Sequence, residues 1–303
     1  MTVEEVKNII QNGENSYIEF KEEEIKAKDL AEEIVAFSNS EGGIILIGVD
    51  DGSLHYDISP VERTSINDLN IDIIRDYFMK YNTFDLFEES KESVERILLN
   101  ADILKEYDGK KVCTVGGLLV FGKNPEKYLP QNGVSFAHFN GNEITDELID
   151  KKIITGRIQD VAEQLMVVIK NNMLTPSVIN GLKREEREEY PMIVMREAIV
   201  NSLVHRNYSI SGSKIRVLMY NDRIEFRSPG RLPNTVTIEK MKIGVSYARN
   251  PFLVKYMENM RYIDQLGRGI PMILKKMNEL GAREPLLMEQ GEEFILTIYR
   301  PDF

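Results

Sequence analysis

Glu197 and Asn201 stand four residues apart in the run EAIVNSLVHRNY (197–208). In a helix that spacing puts both side chains on one face. Farther along, QLGRGIPMILKKM (265–277) sets Gly267 and Gly269 around Arg268, directly before a helical run. Such a turn offers free backbone N–H groups to an anion. A carboxylate and an amide on one helix, with a glycine turn opening another, suit a magnesium–nucleotide site. Spacing alone equally allows an ordinary solvent face on an amphipathic helix, with His205 on the same stripe as a structural histidine.

The elements that must position these residues can be read from pattern. SYIEFK (16–21) alternates like a half-buried strand, with Ile18 and Phe20 facing one way and Tyr17, Glu19 and Lys21 the other. Asp29 with Glu32 forms a capping-box pattern, and the helix that follows puts Leu30, Ile34 and Phe37 on one stripe. IILIGV (44–49) and KVCTVGGLLVFG (111–122) are apolar runs that read as buried strands. Residues 60–107 read as mainly helical and acidic, 133–141 as a strand, 157–173 as an amphipathic helix and 181–190 as a charged connector. A helix over about 191–205 precedes SKIRVLMYNDRIEFRSPG (213–230), a hairpin turning at Asn221-Asp222. Pro271 at the first helical position and Gly281 after the last turn bracket a final helix, and EFILTIYR (293–300) closes with a strand.

Composition bounds the answer. A length of 303 residues suggests about two domains. The single cysteine, Cys113, excludes an internal disulfide and a cysteine-rich zinc site, and points to a reducing compartment. No apolar run approaches a membrane span and no signal peptide is visible, so the expectation is a cytoplasmic protein with no membrane partner. Charge is lopsided: residues 1–150 carry 14 Lys/Arg against 31 Asp/Glu, and residues 151–303 carry 24 against 18. Bulk electrostatics disfavour nucleic acid on the first half and permit it on the second, where Arg206, Lys214, Arg216, Arg227, Arg231 and Arg249 are candidates.

Three segments in order, REAIVNSLVHRNY (196–208), DRIEFRSPG (222–230) and DQLGRGI (264–270), resemble the GHKL ATPase fold. Within it they resemble the divergent domain named after the C-terminal part of RecG-like helicases. The resemblance implies an α/β sandwich with ATP and Mg²⁺ as cofactors. In it Glu197 activates water, Asn201 holds the metal, and Gly230, Gly267 and Gly269 contact the nucleotide; Arg268, between the last two, either pairs with a phosphate or faces solvent. The sequence departs from the pattern at three places. Ser228-Pro229-Gly230 stands where the adenine-binding aspartate belongs, Asn207 replaces the aspartate of HRDY, and the second glycine box keeps two glycines. These departures weaken hydrolysis more than binding.

GENSYIEFKEE (13–23), AFSNSEGG (36–43) and IGVDDG (47–52) resemble the AlbA-like domain of the Schlafen family, labelled DNA-binding, and GGLLVFGKNPEKYLP (116–130) looks like its second half. Proteins that join this domain to a RecG C-terminal-like domain are described as transcriptional regulators. Some eukaryotic Schlafen proteins are metal-dependent nucleases acting on transfer RNA. By that resemblance the metal-binding carboxylates, for Mn²⁺ or Mg²⁺, fall on Glu14, Glu19 and one of Asp50 or Asp51, with Lys21 beside them to steady developing charge. The competing reading is a solvated acidic edge. AlbA-like domains also pair, which implies a homodimer.

The expectation is therefore an α+β or α/β protein: an AlbA-like unit over 1–150, a helical connector over 151–190, and a GHKL-like unit over 191–303. Three functions follow in order: a DNA- or RNA-associated transcriptional regulator that binds nucleotide, a metal-dependent nuclease, and an interaction protein with vestigial sites.

Overall fold

The computed structural model describes residues 2, 6, 9, 17–21, 27–39, 42–47, 55–83, 85–174, 177–180, 183–186, 189–232, 236–245, 247–263 and 267–301. It begins with β1 (Ile18–Lys21), α1 (Ala27–Ser38) and β2 (Ile44–Ile47), the strands pairing in parallel with Lys21 beside Ile47. The helix α1 starts two residues before Asp29, so Asp29 lies inside it and the expected capping box is not its N-terminus. Nor is β2 a buried strand: Ile44 and Ile47 are exposed, because its sheet has only these two strands among the described residues.

A helical layer follows, with α2 (Ile71–Asn82) and α3 (Lys91–Asn100), then the hairpin β3 (Leu104–Tyr107) and β4 (Lys110–Cys113). The run expected as a strand over 111–122 divides at Thr114. Its hydroxyl accepts from the Gly117 amide at 2.9 Å and caps α4 (Val115–Phe121), all seven residues of which are buried. A continuous apolar run does not separate a strand from a buried helix, and here the cap decides. The short α5 (Pro125–Tyr128) leads to β5 (Val134–Phe139) and β6 (Leu148–Ile154).

After α6 (Ile158–Asn172), a small hairpin, β7 (Ser177–Asn180) and β8 (Lys183–Glu186), occupies part of the expected connector. Then come α7 (Met192–Val204), β9 (Ile215–Met219), β10 (Arg223–Pro229), α8 (Ile238–Lys242), α9 (Pro251–Asn259), α10 (Gly269–Glu279), β11 (Leu286–Gln290) and β12 (Glu293–Tyr299). The hairpin turns at Asn221-Asp222 as expected, with Met219 opposite Ile224. Pro271 is the third residue of α10, not the first, still within the turn where a missing N–H costs nothing.

Six strands form the central sheet in the order β11-β12-β10-β9-β5-β6. Only β5 and β9 run in parallel; every other neighbour in this sheet is antiparallel. Alternation sorts the faces: Val134, Phe136, Val217, Ile224, Phe226 and Leu296 enter the core under the helices, while Arg216, Glu225 and Arg227 stand on the other side. One contiguous buried cluster runs from Leu69 to Ile298 and takes in α2, α4, α6, α7, α9 and the sheet. The border expected at residue 150 falls inside β6, and strands from both sides of it share one sheet. No helix among the described residues is long and apolar enough to cross a membrane.

Candidate functional site

Helix α7 is buried around most of its circumference, with Val194, Met195, Ala198, Ile199, Leu203 and Val204 all in the core. It is not a surface helix with a solvent stripe. Its polar line Glu197, Asn201, His205 instead faces a partly open cavity of about 420 Å³. The walls come from β10 (Phe226, Ser228), residues 230–232, Val236, Met241, Val245 and 247–249, the start of α9 (Pro251, Val254) and the N-terminus of α10 (Gly267, Gly269, Ile270). Cavities of this size, mostly apolar with a few convergent polar groups, suit a small molecule.

The polar groups collect at two ends. At one, the Asn201 amide donates to Glu197 Oε1 at 2.9 Å. The glycine turn closes on this pair so tightly that a Cβ on Gly269 would lie 1.9 Å from Glu197 Oε1. Gly267 has φ +65, and a Cβ there would meet the Gly244 carbonyl at 2.0 Å. The turn is thus locked between α7 and the segment after α8, and the Glu197 carboxylate rests against the positive end of α10. Arg268 is not among the described residues that line the space.

At the other end, Ser228 donates its hydroxyl to the Ser202 carbonyl at 3.0 Å, in the place where an adenine-reading carboxylate was missing from the sequence. Arg249 enters the cavity here and donates to the Arg231 carbonyl. Burial pulls its pKa down to about 10, so it remains a cation at neutral pH. Burial, then Arg249, push His205 down to about 4, which keeps its ring neutral. Gly230 lines this end beside Arg249. Arg249, His205 and the apolar wall of Val236, Met241, Val245, Val254 and Ile263 were not among the expected nucleotide contacts; the loop that carries several of them has no periodic signal in the sequence.

The N-terminal cluster is described in part. Glu19 is 3% exposed on β1, and Lys21 Nζ donates to its Oε1 at 2.7 Å. The shared strand face of Glu19 and Lys21 is therefore present. Glu14, Asp50 and Asp51 lie outside the described residues, and β2 ends three residues short of Asp50. Among the described residues no three metal-capable side chains cluster.

The six basic candidates do not form a stripe of free charge. Arg206 is buried over the Tyr208 ring and donates to the carbonyls of Asn207, Ile210 and Ser213. Lys214 donates to the carbonyls of Pro130 and Asn132. Arg216 pairs with Glu293, Arg227 with Glu225, and Arg231 with Glu292 while packing over Tyr17. Arg249 faces the cavity. All six make hydrogen bonds or ion pairs within the chain.

Residues 14–115 match the family described as "Schlafen, AlbA_2", and residues 212–298 match the family described as "Putative ATP-dependent DNA helicase recG C-terminal". The two matches follow one another along the chain in that order. The Schlafen-type match spans Glu14, Glu19, Lys21, Asp50 and Asp51 and stops before the 116–130 run. The recG-type match begins after α7, so Gly230, Gly267 and Gly269 lie within it and Glu197 and Asn201 before it. The fold is also similar to a crystal structure of the DIP2311 protein from Corynebacterium diphtheriae. That similarity has a TM-score of 0.61 at 16% identity and covers 99% of this chain and 80% of that one. No curated protein matches.

Proposed function

We propose that the protein is a nucleic-acid-associated regulator whose recG-type unit binds a nucleotide in the cavity beneath α7. The observation that carries the nucleotide reading is the convergence of Glu197, Asn201, Gly230, Gly267 and Gly269 on one space, although they come from three separate segments. Support for nucleic acid comes from the two matched families, one of them named for a DNA helicase.

The donor set fits the phosphate end of a magnesium nucleotide. Glu197 and Asn201 supply a carboxylate and an amide oxygen for the metal, and the α10 N-terminus supplies backbone N–H groups for phosphate. Magnesium, when bound, contributes Lewis acidity at the phosphates. Among the described residues the base end has no acidic reader, and Ser228 is tied to Ser202. Glu197 is held by Asn201 and by the helix terminus, so its arrangement favours binding and closure over base catalysis. His205 stays neutral and Arg249 charged at the inner wall, where they orient a ligand that carries acceptors.

A second reading, a metal-dependent nuclease, is favoured by the buried Glu19 bonded to Lys21 on β1. One gel separates the two. Labelled transfer RNA, single-stranded DNA and duplex DNA are incubated with protein, with and without ATP–Mg²⁺, and again in Mn²⁺. The regulator reading expects salt-sensitive retardation that changes with ATP, and expects Asn201→Ala to lose that ATP dependence. Cleavage in Mn²⁺ by wild type and not by Glu19→Ala would replace it with the nuclease.

A further inference from the structure

Strand β6 ends the central sheet, and among the described residues it pairs only with β5. An open edge of this kind is a template for another strand, and proteins usually blunt it. Here three apolar side chains, Leu148, Ile149 and Ile153, are 44%, 56% and 65% exposed on either side of the charged centre Asp150-Lys151-Lys152. Val167 of α6 is exposed beside it, and a groove lined by Lys152, Glu163, Gln164 and Val167 runs between strand and helix.

The order of residues along the strand names the partner. Leu148-Ile149-Asp150-Lys151-Lys152-Ile153-Ile154 is self-complementary when read antiparallel about Lys151. Ile149 then faces the partner's Ile153 and Asp150 faces the partner's Lys152, each pair occurring twice across a two-fold axis; the regular ladder ends there, because β6 bulges at Ile149, where its pairing with β5 steps from His138–Asp150 to Phe139–Leu148. Cross-strand apolar pairs and opposite charges are the contacts that stabilise antiparallel strands. Moving the register by one residue on either strand sets Asp150 or Lys152 on an apolar or like partner, so the charges select one register. The remaining pair, Lys151 with itself, sits on the axis. Asn172 of α6 donates to Asp150 at 2.9 Å, which places Asp150 on the helix side and Lys151 on the opposite, open side. There two long side chains diverge into water at little cost.

The opposite edge provides a contrast. Strand β11 reads Leu-Leu-Met-Glu-Gln, which sets leucine against glutamine or glutamate when paired with itself, and its Glu289 is occupied by the Leu232 amide at 2.6 Å. Of the two edges, β6 alone carries a palindrome of both charge and hydrophobicity. We infer that the protein forms a two-fold dimer through antiparallel pairing of β6 with β6, joining two six-stranded sheets into one continuous sheet. An isologous contact of this type is self-limiting, because it uses up the edge on both copies.

Sedimentation velocity of the full chain over a range of concentrations is the test. Wild type is expected to show a monomer–dimer equilibrium, Lys152→Asp to move it at least tenfold toward monomer, and the swap Asp150→Lys with Lys152→Asp to restore it. Because the swap removes the Asn172 contact, a second measurement stands apart from it: Lys151→Cys, on the axis, is expected to cross-link to itself under mild oxidation, and Lys105→Cys on β3 is not. The native Cys113 is buried, with its thiol pushed up to about 12, and does not compete. A wild type that is monomeric at every concentration would overturn the inference. So would a dimer that is indifferent to Lys152→Asp and gives no cross-link in the Lys151→Cys variant.

Discussion

At Gly269 the backbone runs against the Glu197 carboxylate, so the smallest change there acts on the site before it acts on the fold. A Cβ would land 1.9 Å from Glu197 Oε1, the far end of a side chain that can swing away. Gly269→Ala is therefore expected to displace Glu197 from the α10 terminus and weaken nucleotide binding about tenfold, roughly 1.4 kcal/mol. The thermal midpoint should move little; a large fall instead would mean that the turn is structural. Asp57 is the second informative residue. It is fully buried, and its Oδ2 accepts from the amides of Phe252 and Leu253 at 2.7 and 3.2 Å, capping α9 from 195 residues away. Burial pushes its carboxyl up to about 7, against the lowering effect of those two amides. A carboxyl whose folded pKa lies above its unfolded value binds an extra proton in the folded state. Its contribution is present at low pH and is lost as pH rises from about 4 to about 7. Asp57→Asn should remove that slope. The variant is expected to be more stable than wild type at pH 8, by on the order of a few kcal/mol at most, and equal to it near pH 4. Urea titrations at several pH values check this, and a wild-type advantage at pH 8 would contradict it.

Among elements, α9 has the most divided duties. Pro251 and Val254 face the cavity, just after Arg249. Asp57, the Phe121 and Tyr77 rings and the Ala101 carbonyl hold its other side, with Tyr256 donating to Ala101 at 3.1 Å. Phe252 is 5% exposed and packs on Tyr256 with the ring centres 4.4 Å apart. Phe252→Ala is expected to cost about 3–5 kcal/mol and to lower a single unfolding transition, since the same core contains both layers. Two separate transitions in calorimetry would show that the layers unfold independently. Elements with a period or a turn pair were legible in the sequence: α7, the β9–β10 hairpin at Asn221-Asp222, α6 and β12. The helix α4 was not, because a wholly buried helix and a buried strand share one apolar pattern. The exposure of β2 was hidden for the converse reason, since local pattern carries no count of the strands that will cover it. At the candidate site, the Glu197–Asn201 pair and the Gly267–Gly269 turn could be read from spacing, and Gly230 only from the family resemblance. The cavity wall between residues 236 and 249 could not, because no local rule places a loop over a distant helix.

For the whole molecule, the decisive feature is the parallel pairing of β5 with β9, Val134 beside Ile215. That contact joins strands far apart in the chain, and it puts β5 and β6 in the same sheet as the recG-type segment. The halves differ in charge, yet the sheet crosses the charge border. A fragment beginning at residue 151 would lose β5 and leave the β9 edge bare. It is expected to be insoluble or largely unfolded by circular dichroism, whereas a fragment beginning near residue 55 should keep the helical layer and the sheet. A well-folded 151–303 fragment would contradict the shared-core account.

The central claim is that α7 and the two glycine segments build a nucleotide site. Isothermal titration of the full chain with ATP in Mg²⁺, beside Asn201→Ala, tests it most directly. Saturable one-to-one binding by wild type, weakened at least tenfold in Asn201→Ala with the thermal midpoint kept, is the expected result. No heat of binding in wild type, or equal affinity in the variant, would contradict it.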